Sequence, residues 1–260
     1  MKQLLTDWRG EPDDKKQPRP KQALVRRSTA LPLWARGGLA LVLGFACAAR
    51  TMEAAPAPAP SAKQILASVR MQQTRQEIDL QGQLREGPRV VPFRLTQSGA
   101  VIRYTFANPE QALQLRLGAG DSRLEEITRS GVDNVSGSEW EEKVRGTAIA
   151  YEDLALKFLY WDNARVVGED NIRTQRVWKL ELQAPSRQSH YSRVFLWVAQ
   201  TGGALMRMEG FDWNGKLAKR FEVVSAQKIE GRWFLKQMRI ETLHPETGKV
   251  QARTYLEINK

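Results

Sequence analysis

The sequence predicts a mainly β protein of the α+β kind, a large antiparallel sheet that curls or closes with helices on its concave face. Three observations carry this. From residue 78 onward, short runs alternate apolar and polar residues with period two and are separated by Gly, Pro, Asn and Asp. Only two stretches, near residue 65 and at 150–161, carry helical spacing. No strand–helix–strand alternation of the kind that builds a parallel sheet is present. About ten strands form a sheet too large to stay flat. Two helices are too few to cover both faces, so they plug or line the concave one.

Taken in order, residues 1–49 read as an N-terminal extension and export signal. Arg26, Arg27 and Arg36 precede an apolar run from Gly37 to Ala49, which suits a signal core better than a membrane span of about twenty residues. Ala46-Cys47-Ala48 fits the A-x-A cleavage pattern. Arg26-Arg27 suggests a twin-arginine signal, but Ser28-Thr29-Ala30 match that pattern poorly. Cys47 is the single cysteine, so a mature chain has neither internal disulfide nor thiol chemistry. A lipoprotein signal places Leu three residues before its cysteine; here Gly44 stands there and Leu43 is one place too early. Soluble export is favoured over lipid anchoring at Cys47. Residues 50–62 form a Pro/Ala linker, leaving 63–260 as one folded domain.

Within that domain, Ser61 caps a first helix with Ile65, Leu66 and Val69 on one side. A meander follows, with apolar faces at Ile78, Leu80 and Leu84, at Val91, Phe93 and Leu95, at 101–106, at Leu113, Leu115 and Leu117, and at Leu124 and Ile127. Gly82 reads as a bulge. Residues 131–146 are polar and read as a long loop. The segment 150–161 places Tyr151, Leu154, Ala155, Phe158 and Leu159 on one helical face. Leu156, Tyr160 and Trp161 fall outside that stripe, so the segment is apolar on more than one side: a core helix, or one over an apolar cavity. Strands then recur at 174–183, 190–200, 204–212, 216–230, 232–243 and 249–258, with Asn214-Gly215 suited to a type I′ hairpin.

The net charge of +11 is uneven: nine basic and four acidic residues fall in 1–49, leaving 31 basic and 25 acidic in the rest. Aromatics lie among apolar residues rather than clustered Lys and Arg, which argues against nucleic acid as a partner. His190 and His244, the only histidines, have no metal-ligand spacing. No nucleophile elbow or phosphate loop is present. Glu152 and Asp153 suit a helix's first turn, and Glu139, Glu141 and Glu142 read as a solvated run. A hydrolase would require Glu152, Asp153 or Asp162 to be buried with a strongly raised pKa. Trp161, Trp178, Trp197, Trp213 and Trp233 fit either core packing or the lining of a cavity, since both need the same alternation.

Tyr151-Glu152-Asp153-Leu154, Arg193-Val194-Phe195-Leu196-Trp197-Val198 and Phe211-Asp212-Trp213-Asn214-Gly215-Lys216-Leu217 resemble, in order and spacing, motifs of the outer membrane lipoprotein-sorting proteins, the LolA-like carriers. The similarity spans roughly residues 61–260. It implies an unclosed β-barrel with helices on its concave face and a cavity for acyl chains of lipoproteins or other lipids. It further implies a periplasmic monomer without catalysis, cofactor or metal, and membrane-bound donor and acceptor proteins. The candidate lipid-binding residues are Tyr151, Leu154, Phe158, Trp161, Trp178 and Trp197, and replacing Phe158 by Asp is expected to weaken lipid binding while the sheet stays folded. The alternative is an envelope protein-binding or sensor module of the same fold with a filled core and no lipid cargo.

Overall fold

A computed structural model describes residues 59–74, 77–229 and 231–259. The residues expected to form an export signal, Cys47 and most of the expected Pro/Ala linker lie outside the described residues. Helix α1 (Ala62–Gln73) opens the domain. Ser61 caps it: the Gln64 N–H donates to Ser61 Oγ at 3.3 Å, and the Ser61 N–H donates to Gln64 Oε1 at 2.8 Å. Ile65, Leu66 and Val69 are its buried face.

Six antiparallel strands follow: β1 (Glu77–Glu86), β2 (Arg89–Ser98), β3 (Val101–Phe106), β4 (Gln111–Leu117), β5 (Ser122–Thr128) and β6 (Gly131–Asn134). A long connection leads to seven more: β7 (Ala164–Ile172), β8 (Gln175–Gln183), β9 (Arg193–Ala199), β10 (Leu205–Phe211), β11 (Leu217–Ile229), β12 (Arg232–Leu243) and β13 (Val250–Asn259). All thirteen belong to one sheet, in the order β6-β5-β4-β3-β2-β1-β13-β12-β11-β10-β9-β8-β7. The two meanders join through β1 and β13, and β6 and β7 remain as unpaired edges, so the sheet does not close. Its two edges are linked by the connection 135–163, which holds a short helix α2 (Tyr151–Ala155) and 3-10 turns at Gly137–Glu141, Val144–Gly146 and Lys157–Tyr160.

Several expectations change. The polar stretch 131–146 holds strand β6, exposed throughout, and two 3-10 turns. Strand β7 was not foreseen, because an edge strand needs little apolar alternation and a bulge between Val166 and Gly168 interrupts what there is. Gly82 is no bulge. It pairs in register with Phe93 and Ile258, and a Cβ there would meet the Phe93 ring at 2.5 Å, so the absent side chain makes room for an aromatic. The 212–216 hairpin is not type I′. Gly215 has φ +74°, Asn214 is not left-handed, and the Asp212 N–H donates to Lys216 O at 2.9 Å, which makes a three-residue loop closed by a left-handed glycine.

Candidate functional site

The connection 135–163 is the element that shapes the concave side. Helix α2 is held at its start by Asp153, whose Oδ2 accepts the Ala150 N–H at 2.7 Å. It ends after five residues. The Ala155 carbonyl is taken by Ser122 Oγ at 2.6 Å, and Leu156 turns into the left-handed region at φ +53°. A 3-10 turn then carries Phe158 and Leu159 in a new direction. The expected single helix over 150–161 is therefore two pieces with a hinge.

The hinge accounts for the excess apolar surface. Tyr151 and Ala155 are buried, with Leu154 alongside, against Phe93, Phe106, Leu113 and Leu115 of the first meander and Ile240 and Leu256 of the second. Phe158, Leu159 and Trp161 join a separate cluster with α1 and with Leu180, Leu196 and Met208. Leu156 touches both clusters, as does Phe221 of β11. Arg70 of α1 fastens the second piece by donating to Leu159 O and lying over the Tyr160 ring at 5.1 Å.

Between the two clusters the concave face stays unfilled. A cavity of about 440 Å³ lies under the hinge, walled by β1–β4 on one side and β10–β13 on the other, with Val69 of α1 as part of its rim. Leu80, Leu95, Ile102, Val223, Leu235 and Met238 give it a hydrocarbon lining. Trp233, 70% exposed, stands at its mouth. The volume falls within the range of about 300–1,000 Å³ common for ligand sites.

Of the six candidate residues, Leu154 and Phe158 line this cavity. Tyr151 is buried beside it, its hydroxyl accepting from Gln111 Nε2 at 3.1 Å. Trp161 faces a smaller space with Lys63, Leu66 and Asp162. The β8–β9 register separates the two strand tryptophans. Trp178 pairs with Val198 on the inner face and packs on the α1 cluster, outside the cavity lining. Trp197 pairs with Lys179 on the outer face, where its Nε1 donates to Asp170 Oδ2 at 3.0 Å. Sequence reasoning missed the lining from β1–β3 and β11–β12, although its signal, the inward apolar alternation of each strand, was present.

The charged pair of the Y-E-D-L stretch is buried beside the cavity. Asp153 accepts from Tyr191 Oη at 2.6 Å and from Lys219 Nζ at 2.6 Å, so every oxygen is committed. Burial, and then the Asp153 charge, hold the Tyr191 phenol well above its usual value. Burial also raises the Glu152 carboxyl, partly offset by Ser189 Oγ and the His190 N–H, which donate to its two oxygens. The direction is the one a hydrolase requires, though a hydrolase needs a strong shift. Here both oxygens are spent on clamping the 184–192 connection to α2, and Glu152 does not line the cavity. Among the described residues no group of three His, Cys, Asp or Glu side chains is placed to hold a metal ion.

Residues 129–260, just over half of the chain, match a family model described as "Uncharacterized protein". The chain belongs to that family. No curated protein matches the sequence. Among solved structures, a putative outer membrane lipoprotein-sorting protein domain from Vibrio parahaemolyticus is similar with TM-score 0.58 and 16% identity, over 76% of this chain and 90% of the other. A DUF1329 family protein from Desulfovibrio piger gives 0.57 and 20%, over 76% and 91%. A LolA superfamily protein from Nitrosomonas europaea gives 0.55 and 17%, over 78% and 93%. The fold is thus the LolA-like fold, as the sequence motifs suggest.

Proposed function

We propose that this protein is a non-catalytic periplasmic carrier that holds acyl chains of lipoproteins or other lipids in the cavity beneath the α2 hinge. The observation that carries the reading is the lining: an unfilled space of about 440 Å³ walled by hydrocarbon in a domain whose clusters on either side are closely packed. A hydrocarbon-lined space of this size suits an apolar chain and offers it dispersion contacts along its length. Each methylene moved from water gains about 0.8 kcal/mol, so a chain with about ten methylenes inside gains on the order of 8 kcal/mol, from which the ordering costs of binding are subtracted. The likeness in fold to lipoprotein-sorting proteins supports the same reading, as do the export signal expected from the sequence of residues 1–49 and the place of the hinge, which gives the cover a point about which to move. Membrane-bound donor and acceptor proteins are the partners such a carrier requires.

Expression in a lipid-bearing host followed by native mass spectrometry tests this. The expected result is a stoichiometric adduct with the mass of an acyl lipid, displaced by a fluorescent acyl probe. Protein that carries no lipid and binds no acyl probe would return the fold to a protein-binding or sensor module without cargo.

A further inference from the structure

Tyr104 brings a hydroxyl to the cavity wall that makes no hydrogen bond among the described residues. Tyr104 sits mid-strand on β3, between Leu95 of β2 and Leu113 of β4. Its ring is held edge-on to Phe93 with centroids 5.6 Å apart and forms part of the cavity wall. The lining around it comes from Leu95, Ile102, Leu115, Ile149 and Leu154. Burial alone pushes its phenol up to about 12, with no hydrogen bond contributing, so it is protonated at neutral pH and free to donate.

Three other polar groups of the wall, Asp153, Gln97 and Arg207, already have partners. Asp153 is saturated by Tyr191, Lys219 and the Ala150 N–H. The Gln97 amide donates to Gly99 O at 3.0 Å in the β2–β3 turn. Arg207 donates to Glu222 and lies over the Trp197 ring on the outer face. A plain hydrocarbon chain would strip water from the Tyr104 hydroxyl and return no acceptor, whereas a carbonyl oxygen would. Among the described residues the cations beside the wall are already ion-paired, Lys219 with Asp153 and Arg207 with Glu222, so a carboxylate would have to compete for them.

We propose that the cavity is selective for neutral, ester-linked acyl chains, carried with the ester carbonyl inside and accepting a hydrogen bond from the Tyr104 hydroxyl. Tyr104 is then a specificity-determining residue, and the inference rests on the carrier reading above. The test is displacement of a fluorescent acyl probe from the full domain by methyl laurate, laurate and tetradecane, in the wild type and in Tyr104→Phe. The wild type is expected to prefer methyl laurate over both others, the margin over tetradecane being roughly threefold to tenfold, the worth of one hydrogen bond. Tyr104→Phe should abolish that margin while tetradecane binds as before. Infrared spectroscopy of carbonyl-labelled methyl laurate bound to the wild type should show the C=O stretch lowered relative to the same ester in hydrocarbon, a readout that needs no variant. Equal preference in both proteins with an unshifted band overturns the role of Tyr104 and leaves the carrier standing. Tighter binding of laurate overturns the neutral-ester class. Failure to bind any of the three ligands, or the probe, overturns the carrier reading itself.

Discussion

The concave face of the sheet is covered twice, by different means. Over β8–β10 lies α1, a capped helix whose Ile65, Leu66 and Val69 fill the space against Leu180, Leu196 and Met208. Over the first meander and β11–β13 lies α2, one turn and a fraction long, which breaks at Leu156 and leaves the cavity beside it. A full helix presents a continuous stripe and closes a core. A helix stopped after five residues by a captured carbonyl cannot. The difference leaves the apolar cavity between the two covers, beside the one that stops short.

The largest expected effect comes from unpinning the short cover. Asp153→Ala removes the cap of α2 and leaves Lys219 buried without its partner, which should cost about 3–5 kcal/mol in urea unfolding. The double variant with Lys219→Met should recover part of that loss. If Asp153→Ala were neutral, the buried pair would not be what holds α2.

Next come two matched enlargements, which contrast the halves directly. Val198→Phe in the filled half should destabilise by about 1–3 kcal/mol, since no space exists there. Val223→Phe, whose side chain borders the cavity, should leave the unfolding midpoint nearly unchanged and reduce acyl binding by about tenfold or more. The Phe158→Asp substitution expected from the sequence is a poorer probe. Phe158 is only 4% exposed and packs in the α1 cluster, so a charge there strains the fold as well as the site.

How far the sequence reveals these features follows from the same contrast. The Ser61 cap, the strand alternation and the well-marked turns are local, and they were legible. The break at Leu156 is not, because it depends on Ser122, distant in sequence, taking the Ala155 carbonyl. Trp178 and Trp197 were equally good candidates for the lining because strand β9 is apolar on both faces, and only the pairing of Lys179 with Trp197 sends one ring outward. Nothing in the sequence singles out Tyr104, because what sets it apart is a hydroxyl without a partner among the described residues, which no pattern of residues records.

The two faces also titrate differently. On the outer face, the Arg85 guanidinium, with Gln83 and Gln237, holds the Glu257 carboxyl down at about 2, against an ordinary 4.5. That stabilisation is complete above the ordinary value and is lost as pH falls from about 4.5 to about 2, so Glu257→Gln should flatten the acid limb of stability measured by urea unfolding. Glu152, raised by burial on the inner side, has the opposite sign: its contribution is most favourable below the ordinary carboxyl value and weakens as pH rises through its folded value. The smallest effect is expected at Trp197→Phe. It loses the hydrogen bond to Asp170, about 1 kcal/mol in stability, and should leave acyl binding within about twofold, because the ring is on the outer face.

The most direct test of the central claim is a titration of a fluorescent acyl methyl ester into the wild type and Val223→Phe, with urea unfolding of both alongside. Saturable binding of one probe per chain by the wild type, strongly reduced in Val223→Phe at equal stability, is the predicted result. No binding by the wild type, or equal binding by both, would contradict the assignment of the cavity under α2 as the cargo site.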